Sequence, residues 1–281
     1  MALPYAIPPI GYGPGSQPDG EDGLAYMAMP SGMRTYEAHL PEIDDPERAG
    51  PAIAFLKEVH QALTNAEPGE TMSLSLDGLE AGTRALIDET LGEGEVSVVV
   101  EAPAGRIEIQ EARLAGVWRV RGGAGAAARE RIEIAAFPRG ALLRAFPREW
   151  SVDVDGTARL PGVVNAPALL AEILHKSRAR GADDLPHVIN LTLLPVTPED
   201  IAALETRLGR GGVVILSRGY GNCRIEATAL RDVWRVRYFN SSDTLILDTI
   251  EIVDIPAVAC AAPEDLADSA ARLVDILETV G

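Results

Sequence analysis

Two cysteines and four histidines are the side chains with which this chain could bind a metal or run thiol chemistry. Cys223 and Cys260 belong to no CxxC or longer ligand series, and two thiolates fall short of the four that usually hold an iron–sulfur cluster. His39, His60, His175 and His187 lack the spacing of a zinc site. There is no Walker loop, no GxSxG and no dinucleotide fingerprint. Gly11, Gly13 and Gly15 imitate a phosphate loop, but Pro14 interrupts them and no strand-to-helix junction surrounds them. The expectation is a protein that is not an enzyme and carries neither cofactor nor metal. Cys223 keeps one chemical alternative open, as a transient ligand or exchange partner for a cysteine on another protein.

Recognition chemistry is better represented. In the turn Gly219-Tyr220-Gly221-Asn222-Cys223, two glycines permit close backbone approach and a tyrosine is a good interface anchor. The bland reading of the same residues is a tight hairpin turn with Cys223 as a small buried hydrophobe. Tyr238, Phe239 and Asn240 form a second candidate surface, with relaxed loop drift as its rival reading. Gln17, Met29 and Met33 belong to a third, beside Tyr26 and Met27, because flexible thioethers suit adaptable contacts. Packing of that segment onto its own body would use the same residues.

These candidates sit on a sequence that repeats. Val117-Trp118-Arg119-Val120-Arg121 recurs as Val233-Trp234-Arg235-Val236-Arg237. Upstream, Leu91-Gly92 and Gly94 match Leu208-Gly209 and Gly211; Leu74-Ser75-Leu76 matches Leu191-Thr192-Leu193. Downstream, Ile132-Glu133-Ile134 and Pro138 match Ile250-Glu251-Ile252 and Pro256. Ordered identities over this length point to an internal duplication. Against the turn at Gly219, the first unit has Ala102-Pro103-Ala104-Gly105-Arg106. Against Tyr238 to Asn240 it has only glycine and alanine.

Periodicity gives each unit a helix, a strand, a second helix and four strands. The first helices run from Pro51 to Leu63 and from Pro167 to Lys176. Short strands follow at Met72 to Leu76 and Val188 to Leu194. Thr197-Pro198-Glu199-Asp200 announces the second helix of unit two through a cap, a proline in the first turn and acids near the positive helix end. Gly209 closes it, in the left-handed cap conformation. The later strands are Val96 to Val100, Ile107 to Arg113, the VWRVR strand and the strand around Ile132, with counterparts in unit two. Strict alternation puts Trp118 and Val120 on one side, and Val117, Arg119 and Arg121 on the other. The tryptophans read as core. Arg119 and Arg235 are expected to pair with acids on the neighbouring strand, Glu133 and Glu251 among them. Pro263 to Val280 reads as a final amphipathic helix.

The expected fold is α+β: two copies of a helix–strand–helix–four-strand unit with mainly antiparallel sheet, packed as a pseudo-dimer. Residues 1–50 form an extended Pro/Gly-rich arm, 51–150 unit one, and 151–281 unit two with its C-terminal helix. Eight of the 20 prolines lie in the arm, which disfavours long helices or strands there.

The formal charge of -17 on 281 residues argues against phosphate backbones and anionic membrane surfaces as partners. It suits solubility, or a basic partner segment such as an arginine-bearing signal sequence. No signal peptide or membrane-length apolar run is readable, so insertion into a membrane is not expected. The low cysteine content agrees with a reducing compartment, and the expected location is the cytoplasm.

Several stretches resemble a known family, the HupH/HyaF hydrogenase expression/formation proteins. They are Gly13-Pro14-Gly15-Ser16-Gln17-Pro18, Met29-Pro30-Ser31-Gly32-Met33, Leu40-Pro41-Glu42, Ser217-Arg218-Gly219-Tyr220-Gly221-Asn222-Cys223-Arg224-Ile225, Val233-Trp234-Arg235-Val236, Tyr238-Phe239-Asn240-Ser241 and Leu245-Ile246-Leu247. The resemblance also takes in Glu251 to Ala262 and spans essentially the whole chain, unit one fitting less closely. It implies a role in maturing uptake [NiFe] hydrogenases, acting on the iron–sulfur small-subunit precursor before twin-arginine export, beside a thioredoxin-like maturation protein. It carries over no catalytic residues. The alternatives are a redox or iron–sulfur transfer factor working through Cys223, and a scaffold that mainly docks the thioredoxin-like companion.

Overall fold

In a computed structural model, residues 46–280 are described apart from 68, 104, 123–128, 148, 159, 182–183 and 219–220. The arm residues Gln17, Met29 and Met33, and the turn residue Tyr220, therefore lie outside the described residues.

The elements run α1 (Pro46–Thr64), β1 (Met72–Ser75), α2 (Ala81–Leu91), β2 (Val96–Val100), β3 (Ile107–Glu111), β4 (Val117–Gly122), β5 (Arg129–Ile134), α3 (Arg139–Ala145) and α4 (Val154–Thr157). The second half continues with α5 (Ala166–Ala179), β6 (His187–Asn190), α6 (Pro198–Leu208), β7 (Val213–Ser217), β8 (Asn222–Ala227), β9 (Val233–Phe239), β10 (Leu245–Ile252), a 3-10 turn (Ala257–Ala259) and α7 (Pro263–Val280). Helix α1 starts a turn earlier than Pro51 suggested. Ala49 and Ala52 continue the buried stripe of Leu56, Val59 and Leu63, and Pro46 takes the first-turn position that proline tolerates.

The ten strands among the described residues form one antiparallel sheet, in the order β1-β5-β4-β3-β2-β7-β8-β9-β10-β6. The second half repeats the order of the first, read outward from the centre. The two units thus share a sheet, joined where β2 pairs with β7.

Both faces of this sheet are covered, in different ways. On one face a single core crosses the central seam. It holds Val98, Val100, Trp118 and Val120 from the first half and Ile215, Ile225, Trp234 and Val236 from the second, under Phe137, α3 and Ala259. On the other face each half has its own helix-covered core. Leu56, Val59 and Ile87 pack on Val117, Ile132 and Ile134; Leu170, Ile173 and Leu204 pack on Val233, Ile250 and Ile252. Val117 is therefore buried although it faces away from Trp118.

The halves also exchange their closing segments. Helix α7 follows the second half in sequence but buries Leu273 against the first half's core, and the Ser269 hydroxyl donates to Ala115 O at 3.0 Å. Val152 and Val154, which follow the first half, pack against the second half's core, and Trp150 Nε1 donates to Arg207 O on α6 at 2.9 Å.

Helix α6 begins with the expected cap. Thr197 Oγ1 accepts from Asp200 N, and Asp200 Oδ2 accepts from Thr197 N, each at 3.0 Å. Gly209 departs from the expected left-handed cap. Its φ of 64° is joined to a ψ of -169°, and Gly92 repeats this at 59° and -168°. Only glycine occupies that region readily. A Cβ on Gly209 would also meet the Trp150 ring at 2.5 Å.

Candidate protein-binding surface

The tryptophans anchor the shared core. Both are fully buried. Trp118 Nε1 donates to Ala135 O at 2.9 Å, and Trp234 Nε1 is shared between Val253 O and Asp254 O at 3.1 Å. Phe137 meets Trp118 edge-on with centroids 5.7 Å apart, and Phe146 meets Trp234 at 5.2 Å.

The neighbouring arginines point to the opposite face and pair with acids on the adjoining strands, as expected, but not with Glu133 or Glu251. Arg119 bonds Glu130 on β5 and Asp88 on α2; Arg235 bonds Asp248 on β10 and Glu205 on α6. Register explains this. Glu133 is partnered with Trp118, and Glu251 with Trp234, so both lie on the tryptophan face and out of reach of these guanidiniums. The arginines tie helix to strand and serve as scaffold.

Four sequence-predicted site residues gather at the outer end of β8 and β9, and Asn240 continues them into the adjoining turn. Cys223 and Tyr238 are cross-strand partners, as are Asn222 and Phe239. Cys223 is buried on the tryptophan face. Burial, with Glu251 nearby, pushes its thiol up to about 11 despite an opposing hydrogen bond to Tyr238. Burial likewise pushes the Tyr238 phenol up to about 12. Both stay protonated near neutrality, so Cys223 has the environment of a packed thiol rather than a nucleophile. Asn240 spends its polar groups locally. Its Oδ1 accepts from Ser242 N at 2.9 Å and Thr244 N at 3.0 Å, closing the β9–β10 turn. Asn222 Nδ2 donates to Asp243 Oδ1 in that turn at 3.2 Å.

Register corrects the correspondence between the halves at this corner. Cys223 pairs with Ser217 and Tyr238; Ile107 pairs with Val100 and Gly122. Cys223 therefore corresponds to Ile107, not Arg106, because the first half's hairpin is one residue longer. An apolar counterpart suits a core role for Cys223.

Neighbouring residues that sequence reasoning did not select extend the corner. Leu245 is 46% exposed and Ile246 56% exposed, and the sheet register shifts between Leu245 and Leu247. Leu245 pairs with Phe239 and Leu247 with Tyr238. Half-buried Tyr238 and Phe239 thus border an exposed aliphatic tract. Three successive apolar residues at 245–247 break the alternation of a half-buried strand, and that was the available signal. The geometry offers contact area for another polypeptide. Among the described residues, no group of three or more His, Cys, Asp or Glu side chains could hold a metal ion, and no helix is long and apolar enough to cross a membrane.

Comparison with known proteins agrees with this picture of two related halves. The family model described as "HupH hydrogenase expression protein, C-terminal conserved region" matches residues 50–147 and again 163–280. The hydrogenase expression/formation protein HupH of Rhodobacter capsulatus is 50% identical over 287 residues, covering 100% of both chains. The hydrogenase-1 operon protein HyaF of Escherichia coli K12 is 35% identical, covering 95% of this chain and 94% of that one. A solved structure of hydrogenase expression protein HupH from Thiobacillus denitrificans is 28% identical with a TM-score of 0.39, covering 41% of this chain and 96% of that one. Matched by the family model in both halves and by the Rhodobacter and Escherichia relatives over nearly its full length, the chain belongs to the HupH family of hydrogenase expression/formation proteins.

Proposed function

We propose that this protein is a non-catalytic assembly factor that holds an immature hydrogenase component during maturation. The component is the iron–sulfur small-subunit precursor before twin-arginine export, and the work is done in the cytoplasm. The relatives' names supply the hydrogenase context. The observation that carries a holding role is the corner where Tyr238 and Phe239 adjoin exposed Leu245 and Ile246. Phe239, which faces the side opposite Tyr238, pairs with exposed Leu245, and such an aromatic bordered by aliphatic surface is what a partner with incompletely buried apolar segments would bind. The acidic chain complements an arginine-bearing signal sequence. A thioredoxin-like maturation protein is proposed as a second partner.

The redox reading draws no support from Cys223, whose thiol is buried and held protonated. Co-purification of the full chain with the small-subunit precursor, with and without its signal sequence, tests the proposal. Stable association of either form supports it. Absence of both complexes, with the thioredoxin-like protein captured alone, would replace it with the scaffold reading.

A further inference from the structure

The tryptophan face contains its own comparison. Register sets Gly122 of the first half where the second half has Tyr238, and Glu133 where it has Glu251. In the second half, Tyr238 packs its ring against the shared core. It lies near enough to Cys223 and Glu251 for both to perturb its phenol. In the first half, no side chain projects from position 122, and a cavity of about 180 Å³ opens there. Its floor includes Ile107, Ile109 and Val120; Arg131, Glu133 and Arg144 stand around it.

Glu133 is the unexplained group in this cavity. Its side chain is 6% exposed. Oε1 accepts from Arg131 Nε at 2.8 Å and Nη2 at 2.6 Å. Oε2 is buried and has no hydrogen-bond partner among the described residues. A buried carboxylate oxygen lacking a donor calls for one. The lining selects the donor's chemistry. Two arginines against one glutamate disfavour a cation, Glu133 disfavours an anion, and the floor favours an apolar body. A neutral hydroxyl on an aromatic ring meets all three conditions. Size agrees, since a cavity of roughly 150 Å³ accepts a benzene ring.

We propose that this cavity receives the tyrosine side chain of a partner polypeptide, its ring on Ile107, Ile109 and Val120 and its hydroxyl donating to Glu133 Oε2. Tyr238 shows the same sheet position filled from within. The site is separate from the corner at Tyr238 and stands or falls independently of it.

The probe is N-acetyl-tyrosinamide, titrated into the full chain and followed by methyl NMR. The expected result is saturable binding at one site, with shifts confined to Val100, Ile107, Ile109 and Val120. N-acetyl-phenylalaninamide should bind at least several-fold more weakly. Gly122→Tyr, which copies the second half, should abolish binding, with a modest fall in melting temperature because its Cβ would meet Ile107 Cγ1 at 3.1 Å. Absence of saturable binding, equal binding of the phenylalanine probe, or shifts centred elsewhere would overturn the proposal. The wild-type shift map decides the matter even if Gly122→Tyr fails to fold.

Discussion

Val98 and Ile215 are direct partners across the β2–β7 seam, and they occupy the same position in the two halves. The pairing around them runs evenly both ways, with Val96 opposite Ser217 and Val100 opposite Val213. This is how a two-fold symmetric interface is made, with one patch meeting itself. Here the two patches lie on one chain, and both residues contribute to a core that continues across the seam.

That relationship makes the halves interdependent. Ile215→Ala should cost about 2–4 kcal/mol and Val98→Ala somewhat less. Urea unfolding followed through Trp118 or Trp234, each alone after conversion of the other tryptophans to phenylalanine, should give coincident transitions. Fragments divided at residue 150 should be unfolded by circular dichroism, since the first loses α7, the second loses Trp150, and each loses its part of the shared core. Two separated transitions would contradict this.

Asp200 fastens α5 to α6. It is fully buried, and its Oδ1 accepts from the backbone N–H groups of Val164, Asn165 and Ala166 at 2.8–2.9 Å. Burial pushes the carboxyl up, but these donors and Thr197 N outweigh it and hold the group at about 2. The stability it contributes is full above its ordinary 3.8 and is lost as pH falls toward 2. Asp200→Ala, which leaves several buried donors unpaired, should cost roughly 2–4 kcal/mol at pH 7. Asp200→Asn should cost less, because it retains one acceptor oxygen. Urea denaturation at pH 7 measures both.

Glu111 works in the opposite sense. It lies beside Trp118, and burial, with Glu95 and Asp265 nearby, pushes its carboxyl up to about 7 from 4.5 against backbone hydrogen bonds from Gly116 and Val96. The folded state then holds a proton that the unfolded state has released, so stability falls as pH rises from 4.5 to 7. Glu111→Gln should be nearly neutral at pH 4.5 and stabilising at pH 8, by up to roughly 3 kcal/mol. A pH series of urea midpoints for parent and variant reads the difference; equal curves at both ends would refute it.

Cys223 should behave as a packed thiol. Native protein should react slowly with a thiol reagent at pH 7.5 and quickly in urea, and Cys223→Ala should preserve hydrogenase maturation. Cys260 is also partly buried, and its thiol is pushed up to about 11, so both sites should be protected together. Fast native labelling of Cys223 would restore the transfer reading.

The elements were legible where the signal is local. Alternation identified β4 and β9, and Thr197 with Asp200 marked the start of α6. What depended on register was not. Nothing local states that β2 pairs with β7, because both strands are apolar along their length. Arg119 does pair with an acid on the neighbouring strand, but with Glu130 and not Glu133, because facing direction decides which acid it meets. One extra residue in the first half's hairpin moved the counterpart of Cys223 from Arg106 to Ile107. The cavity beside Gly122 becomes visible only once that register is known. At the corner, Cys223, Tyr238 and Phe239 were singled out from sequence, whereas Leu245 and Ile246 were passed over although their apolar run with Leu247 breaks the strand alternation.

The central claim is that a hydrogenase component is held at the Tyr238 corner. Affinity of the full chain for the purified small-subunit precursor, measured by calorimetry, tests it most directly. Phe239→Ala combined with Ile246→Asp should weaken binding at least tenfold, as expected when an aromatic anchor and adjoining apolar area are lost, with the melting temperature little changed. Unchanged affinity in a folded double variant would contradict the account.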